Sequence, residues 1–248
     1  YNTYHFNKMI YVTAVQQKLH FQQFFKILEL LGYNFSKDLQ HVYYGMFSLP
    51  NGKIASRKGK QAVLVDLMDY SYNKALDIIK DRNYDEIKKK EIANKIAFSA
   101  LKFSALKNER IKDTVFDIEN AFSFEGDTSA YIQYTYARIC SIIKKANLND
   151  DFESINYDAI NSDIVFNILM MVNNYQSIVL KAMQNSEPSI VGKYLLDMCK
   201  MLNKFYTTEK VITADIETTK AKIYLLKNVK KVLTKLFNLV CIDTVEEM

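Results

Sequence analysis

The stretch of the chain best suited to chemistry is NGKIASRKGK, residues 51–60, which holds four cations and two glycines in ten positions. Lys53, Arg57 and Lys58 supply positive charge, while Ser56 and the backbone N–H groups beside the glycines supply hydrogen-bond donors. Such groups can grip phosphate oxygens, and a helix beginning just after them adds its positive dipole end. The Walker A pattern G-x-x-x-x-G-K-[ST] is absent. A solvated surface turn is the alternative interpretation.

The elements around this loop follow the order of an α/β sheet. The short apolar and β-branched run MIYVTAV, residues 9–15, predicts a buried strand. From His20 the apolar residues recur every three or four positions up to Gly32, which predicts a helix that ends there. LQHVYYGMFS, residues 39–48, is again typical of extended structure, and a helical pattern follows the cationic loop. Residues 1 to about 60 are therefore predicted to belong to a nucleotide-binding type of α/β domain.

The rest of the chain is predicted to be helical. RNYDEIKKKEIANKIAFSALKFSALK contains no helix breaker, and a less regular connection with Gly126 follows it. Asp127 or Thr128 can then cap a helix that runs to about Ala146. Three more helices are marked by their caps or their apolar stripes: Ser162 and Asp163 before one reaching about Met183, Pro188 at the next, and Leu226, Val229, Leu233, Leu236 and Val240 along the last. The predicted architecture is an α/β segment followed by an all-helical bundle.

The composition excludes several classes of protein. Of the 248 residues 49% are apolar and 25% charged, which predicts a soluble globular fold with a substantial core. The net charge of +5 permits an anionic partner without requiring one. Cys140, Cys199 and Cys241 are odd in number and far apart, so we expect reduced, mostly buried thiols. No Cys/His cluster has zinc-ligand spacing, and no apolar run reaches membrane-spanning length, so neither a metal site nor a membrane partner is expected.

One face of the helix predicted after Gly126 could bind RNA. Tyr131, Tyr134, Arg138 and Ser141 are spaced by 3, 4 and 3 residues, so they lie on one side of the helix. Aromatic rings and a guanidinium can stack on bases and pair with phosphates. Alternatively, the tyrosines are amphipathic core residues whose hydroxyl groups reach a partner. The spacing alone leaves both interpretations open.

Five blocks of the sequence resemble those of the arginyl-tRNA synthetases, a family of class I enzymes. GKIASRKG is similar to the K-M-S-K-S signature in the form this family uses, although Ile54, Ala55 and Arg57 depart from it. KMIYVTAVQQKLHFQQFFKILELLGY and LQHVYYGM resemble the segments before that signature. SFEGDTSAYIQYTYARICSI resembles the opening of the family's DALR-type anticodon-binding domain, and CIDTVEEM its closing residues. The resemblance covers nearly the whole chain in order.

The resemblance implies a fold and a domain division. We expect an α/β remnant of a Rossmann-type catalytic domain followed by an all-α helical bundle of the DALR type. Residues 1–90 would hold the C-terminal part of the catalytic domain, with the signature loop and connecting helices, and residues 91–248 the anticodon-binding domain. The family's H-x-G-H element is absent from the sequence. The chain is therefore expected to be the C-terminal portion of an enzyme whose missing N-terminal half is its partner.

The resemblance also implies roles for individual residues. The loop would stabilise the ATP triphosphate while negative charge builds on the leaving pyrophosphate. The residues implied for this role are Lys53, Ser56, Arg57 and Lys58. The resemblance implies that the adenine pocket is lined by His41, Val42 and Met46. It implies that Gln17 contacts the substrate arginine, whereas without the family Gln17 would be interpreted as a loop residue that hydrogen-bonds to backbone. Contact with the anticodon region of tRNA is implied for Tyr131, Tyr134, Arg138, Tyr206 and Met248.

The function implied for the intact protein is that of an arginine–tRNA ligase. It would use ATP, with Mg²⁺, to convert L-arginine to arginyl-adenylate and would transfer the arginine to its tRNA. KMIYV and EGDT look closest to eukaryotic cytosolic members, which predicts a cytoplasmic location. Two alternatives stay open. The chain alone could be a tRNA-binding fragment without activity, or it could belong to another class I synthetase with a DALR domain, such as the cysteine enzyme, although no zinc-ligand cluster is present.

Overall fold

The computed structural model describes residues 1–49, 64–148 and 154–248, and residues 52 and 53 through their backbone. The first unit is strand β1 (Met9–Ala14), a short 3-10 turn (Val15–Gln17), helix α1 (Lys18–Leu30), a second 3-10 turn (Asn34–Asp38) and strand β2 (Leu39–Tyr44). β1 and β2 are parallel neighbours, in register from Met9 opposite Leu39 to Ala14 opposite Tyr44. The predicted strand–helix–strand order is confirmed.

Helix α1 packs on this strand pair through aromatic rings. The ring of Tyr11 lies 5.0 Å from that of Phe21 and 5.6 Å from that of Phe25. The helix ends as predicted, with Gly32 just beyond it at a φ of +81°, a conformation in which a side chain would be strained. The prediction of a buried strand is wrong, because Ile10 and Val12 are 48% and 63% exposed. Successive side chains of a strand face opposite sides, and in the described residues α1 covers only the side of Tyr11.

The helical part begins after the cationic loop. It comprises α2 (Leu64–Ile79), α3 (Glu86–Leu106), α4 (Ile118–Ala121), α5 (Ser129–Ala146), a 3-10 turn (Tyr157–Ile160), α6 (Asp163–Asn185), α7 (Ser189–Thr208) and α8 (Ile216–Leu239). The predicted caps are confirmed: the Thr128 hydroxyl accepts a hydrogen bond from the Tyr131 backbone N–H at 3.1 Å, and Ser162 caps α6 in the same way. Pro188 occupies the position before α7. In the described residues no helix is both long and apolar enough to cross a bilayer.

Two hydrophobic clusters form the core of the part of the chain that the structure describes. The larger lies among α5, α6, α7 and α8 and includes the whole predicted stripe of α8, each residue fully buried: Leu226, Val229, Leu233, Leu236 and Val240. The smaller lies between α2 and α3 and also takes in Phe116 and Val245. Helix α3 contributes to both, with Ile96 in the smaller cluster and Phe103 in the larger. The predicted domain division between residues 90 and 91 falls inside α3, and it stays a prediction.

A small sheet joins the α/β segment to the bundle. It consists of β3 (Phe47–Leu49), β4 (Gly52–Lys53) and β5 (Thr114–Val115), with β3 in the middle, antiparallel to β4 and parallel to β5. The Thr114 N–H donates to the Met46 carbonyl at 2.8 Å, and the Phe116 N–H to the Ser48 carbonyl at 2.7 Å. The sequence predicts only an irregular connection around β5. The pairing ties the strand before the cationic loop to the connection between α3 and α5.

Gly45, at the junction of β2 and β3, allows this close approach. Its N–H donates to the Arg110 carbonyl at 2.7 Å, and a Cβ added to it would lie 2.4 Å from the Lys112 carbonyl oxygen. Real Cβ atoms essentially never come this near to backbone. One of the two backbones would have to move, which would weaken the hydrogen bonds that pair them.

We therefore expect Gly45→Ala to lower the free energy of unfolding by about 1–3 kcal/mol, the usual cost of overpacking. The matched control is Gly192→Ala in α7, where an added Cβ would meet its nearest neighbour at an ordinary 3.5 Å. Because alanine also favours helix, the control should be neutral or stabilising. Urea unfolding of the two variants and the parent checks this. Equal stability of Gly45→Ala and the parent would contradict the packing described for residues 45 and 112.

Candidate functional site

The cationic loop lies outside the described residues, and so do the predicted catalytic residues Ser56, Arg57 and Lys58 together with the side chain of Lys53. Their roles stay predictions. The flanks of the loop are described. The backbone of Lys53 pairs with Ser48 in the β3–β4 hairpin, and α2 starts at Leu64. The residues on both sides of the loop are therefore tied to the smaller core cluster, through Phe47 and Leu49 before it and Leu67 after it.

His41 lies in the middle of β2 and faces α1. Its Nε2 is 2.8 Å from the Thr13 hydroxyl, and its ring stacks on Phe21 with 4.4 Å between ring centroids. Burial and, secondarily, the positive charge of Arg110 lower the pKa of His41 below its usual 6.5. The imidazole is consequently neutral at pH 7. A neutral ring that lies flat against a phenylalanine can offer an aromatic edge to an adenine base without adding charge.

The other residues predicted for small substrates lie at one edge of the strand pair. Gln17 closes the turn that follows β1 and is exposed, and Met46 comes two residues after β2. Both therefore follow the carboxyl ends of parallel strands, where open α/β sheets bind their ligands. Val42 is partly buried and, as the neighbour of His41 in a strand, points to the opposite side of β2. The structure therefore places His41 and Val42 on different faces, with Met46 and Gln17 at the strand ends.

The predicted RNA face of α5 is partly exposed and partly built into the core. Tyr134 is 40% exposed, with its ring edge on Phe124 at 5.8 Å between centroids, and Arg138 is exposed. Tyr131, by contrast, is half-buried against the larger cluster, as is Tyr206 of α7. The two interpretations left open by the spacing thus apply to different members of the set. Tyr134 and Arg138 are available to a partner, while Tyr131 supports the bundle.

Arg138 and Tyr206 come together across α5 and α7. The Arg138 guanidinium lies 5.1 Å from the centroid of the Tyr206 ring, a cation–π contact. The Tyr206 hydroxyl is buried and has no hydrogen-bond partner among the described residues, and burial raises its pKa well above the usual value. The ring therefore holds the guanidinium in place, whereas its hydroxyl contributes no hydrogen bond that the structure describes.

Met248 belongs to a segment, residues 243–248, that packs onto the bundle without a local sequence pattern that would predict it. The Gln133 amide donates to the Asp243 carbonyl at 2.8 Å, Val245 is buried, and Met248 packs against the smaller cluster. The Glu247 carboxylate lies 2.6 Å from the Lys88 ammonium of α3 and 3.3 Å from the Lys144 ammonium of α5. These solvent-exposed ion pairs add little stability, but they place the last residues between α3 and α5.

A basic groove of about 1190 Å³ runs between α5, α8 and the chain terminus. Five lysines line it: Lys144 and Lys145 from α5, and Lys227, Lys230 and Lys231 from α8. Ser141 also lines it, and Ser141 and Lys145 continue the helical spacing of Tyr134 and Arg138. The groove therefore begins where the face with exposed aromatic and arginine side chains ends. Glu246 and Glu247 also line it and pair with Lys230 at 2.9 Å and Lys144 at 3.3 Å, so the lining keeps an excess of positive charge, which suits a phosphate backbone.

The thiols and acidic residues form no obvious metal centre. Among the described residues no group of three His, Cys, Asp or Glu side chains is placed to hold a metal ion. Cys199 is buried and Cys140 half-buried, and burial raises the pKa of both thiols. Cys241 is exposed, so the expectation of mostly buried thiols holds for two of the three.

Comparison with known families gives two matches that follow one another along the chain. The family model described as the catalytic domain of class I tRNA synthetases (R) matches residues 1–118. The family model described as the DALR anticodon binding domain matches residues 132–248. The gap between the two matches, residues 119–131, runs from α4 to the start of α5.

Curated relatives carry one common name, arginine–tRNA ligase. The protein of Halothermothrix orenii is 36% identical over 247 residues, covering 99% of this chain and 43% of the relative. That of Clostridium botulinum is 39% identical over 248 residues, covering 99% of this chain and 44% of the relative. The chain thus spans less than half the length of the curated relatives it matches. The expected closeness to eukaryotic cytosolic members stays a prediction.

Solved structures agree on the fold. Arginyl-tRNA synthetase of Thermus thermophilus superimposes with a TM-score of 0.86 at 24% identity, over 98% of this chain and 41% of that one. The Plasmodium falciparum enzyme gives a TM-score of 0.82 at 24% identity with the same coverage. The expected fold class, a class I catalytic segment followed by a DALR helical bundle, is confirmed. The chain belongs to the arginyl-tRNA synthetase family and matches the C-terminal portion of its members.

Proposed function

We propose that the protein carrying this chain is an arginine–tRNA ligase. The observation that carries the proposal is that one chain matches a catalytic-domain segment and then an anticodon-binding domain. Its curated relatives bear this name. The substrates are L-arginine, ATP accompanied by Mg²⁺, and arginine tRNA, and the location is the cytoplasm. The remainder of the catalytic domain, outside these 248 residues, is the partner that completes the active site.

In the first step the arginine carboxylate attacks the α-phosphorus of ATP. A carboxylate oxygen bonds to phosphorus, and the bond to the bridging oxygen breaks, which releases pyrophosphate and leaves arginyl-adenylate. Negative charge grows on the pyrophosphate, and Lys53, Ser56, Arg57 and Lys58 stabilise it as preplaced cations and a donor. Gln17 at the end of β1 binds the arginine. His41 and Met46 bind the adenine, and Val42, whose side chain faces the other side of β2, contributes to the adenine pocket through its main chain. A tRNA ribose hydroxyl then takes the arginyl group and releases AMP.

The helical bundle binds the tRNA on the side of α5. Tyr134 and Arg138 are exposed there, and the five groove lysines continue the surface toward α8. An anticodon base stacks on the Arg138–Tyr206 pair, and lysine ammonium groups meet the phosphates beyond it. Tyr131 and Met248, which pack on the core, shape the floor of this face.

The direct test of the function is charging of tRNA by the full-length protein with each of the twenty amino acids in turn. Arginine alone should be attached. Attachment of cysteine instead would favour the alternative that the chain belongs to another class I synthetase with a DALR domain, the cysteine enzyme. A second candidate applies to the 248-residue chain by itself, because it spans less than half of its relatives. We expect this chain to bind tRNA without forming arginyl-adenylate, and adenylate formation by it would overturn that.

For the loop, we expect Lys58→Ala in the full-length protein to slow arginine-dependent pyrophosphate exchange by about a hundredfold, which corresponds to about 3 kcal/mol of lost transition-state stabilisation. Arginine affinity should change little, because the contact forms as pyrophosphate leaves. The control is Lys37→Ala, which removes an exposed lysine from the turn before β2. An unchanged exchange rate in Lys58→Ala would remove this lysine from the phosphate site.

For the RNA face, Tyr206→Ala should weaken tRNA affinity by about 1–3 kcal/mol, since both the ring and the support of Arg138 are lost. Tyr206→Phe should bind tRNA normally and be as stable as the parent or more so, because the hydroxyl it removes is buried without a described partner. Tyr4→Ala, which removes an 81% exposed tyrosine from the α/β segment, is the control. Affinity at one fixed salt concentration and the melting temperature are measured on the same samples. Normal tRNA affinity in folded Tyr206→Ala would exclude the contact.

A further inference from the structure

Arg110 lies between α3 and β5. It is hydrogen-bonded to Tyr43 and Gly45, the residues on either side of Tyr44 at the end of β2. Its Nη1 donates to the Tyr43 carbonyl at 2.5 Å, and its own carbonyl accepts the Gly45 N–H at 2.7 Å. The guanidinium also lies 5.1 Å from the centroid of the Tyr43 ring. Main chain and side chain of one residue thus fix where β2 ends and where the chain turns toward Met46.

The same residue is bonded to the corner between α6 and α7. The Arg110 Nε donates to the Ser186 carbonyl at 3.0 Å, and its backbone N–H lies 3.2 and 3.3 Å from the two Glu187 carboxylate oxygens. The direction of the Ser186 carbonyl is set by the helix end. Ser186 has a φ of +49°, and the Glu187 N–H closes the turn on the Ala182 carbonyl at 2.9 Å.

An arginine suits this position better than any other side chain. Its planar guanidinium presents donors at fixed angles, so Nε and Nη1 can serve two carbonyls from different elements at once. The side chain is only 21% exposed, and that of Glu187, 3.9 Å away, is 17% exposed. A lysine ammonium on a flexible stem would reach one carbonyl and leave the other without its charged donor.

We propose that Arg110 is a positioning residue for ATP. It holds the carboxyl end of β2 against the corner between α6 and α7, and the adenine-binding residues His41 and Met46 lie on either side of that strand end. The inference rests on the proposed function of the protein. Arg110 does not touch the nucleotide; it sets the place of the strand end that does. A second and weaker link follows the same path, since the Gln40 amide of β2 donates to the Ser186 hydroxyl at 3.3 Å.

The experiment measures arginine-dependent pyrophosphate exchange by the full-length protein carrying Arg110→Lys. We expect the KM for ATP to rise about tenfold, with kcat within about twofold of the parent, because misplacing the strand end weakens nucleotide binding in ground and transition state alike. The KM for arginine should stay within about threefold. Gln40→Leu, which removes only the weaker link, should raise the KM for ATP by about twofold to threefold. Arg82→Lys, at an exposed position after α2, is the matched control.

Hydrogen exchange at the amides of residues 40–46 supplies a readout that does not depend on activity. It should be faster in Arg110→Lys than in the parent, with the amides of α7 and α8 unchanged. A lower melting temperature with an unchanged KM for ATP would mean a purely structural arginine and would overturn the inference, while the proposed function would stand. An inactive parent protein in the presence of arginine, ATP and arginine tRNA would instead overturn the proposed function and the inference with it.

Discussion

The hydrogen-bonded pairing of residues 45–48 with residues 110–116 is the contact on which the arrangement of this chain depends. It is short, but it joins two stretches of chain that are 67 residues apart at Met46 and Asp113, whose carboxylate accepts the Met46 N–H at 2.6 Å. Gly45 makes the approach possible, because any side chain there would meet the Lys112 carbonyl. Through this pairing the β2 end and the start of the cationic loop are fixed to the helical part rather than to α1 alone.

Helix α3 carries that connection into the bundle. Its first half packs with α2 in the smaller cluster, and Phe103 near its end is fully buried in the larger one. The last residues of the sequence also connect α3 to α5. The side-chain amide of Gln133 in α5 donates hydrogen bonds to the Asp243 carbonyl and to the Ser99 hydroxyl of α3. The proposed RNA face on α5 and the segment proposed to bind ATP are thus joined by a continuous set of contacts. Contacts of this kind can carry coupling between two sites, provided that both sites bias them.

Local signals in the sequence were enough for the elements and for much of the core. The caps Thr128 and Ser162 and the apolar stripe of α8 lie where the helical period and the capping chemistry predicted them. The small sheet and the anchored terminus had no such signal, because pairing between Ser48 and Val115 is decided by tertiary packing and not by the residues beside them. The same reason explains β1: its apolar residues predict a strand, but which face is covered depends on what packs against it.

The candidate site was predictable in part. Spacing alone placed Tyr134 and Arg138 on one face of α5, and both are exposed there. It could not tell that Tyr131 packs half-buried against the larger cluster, nor that Tyr206, 68 positions after Arg138, lies under its guanidinium. The resemblance to a family supplied Tyr206 and Met248, for which no periodic pattern exists. Arg110 carried no signal of its own, since its importance arises from two carbonyls that only the fold brings within reach.

We propose that the side of the bundle formed by α5, with Tyr206 of α7 and the lysine-lined groove, recognises the anticodon of arginine tRNA. The most direct measurement compares the affinity of the chain for arginine tRNA with its affinity for the same tRNA carrying a changed anticodon, at one salt concentration. We expect the changed anticodon to weaken binding by about tenfold or more, since a stacked base would lose about 1–3 kcal/mol of contact. Equal affinity for the two tRNAs would contradict anticodon recognition by this face. It would indicate a surface that attracts any phosphate backbone.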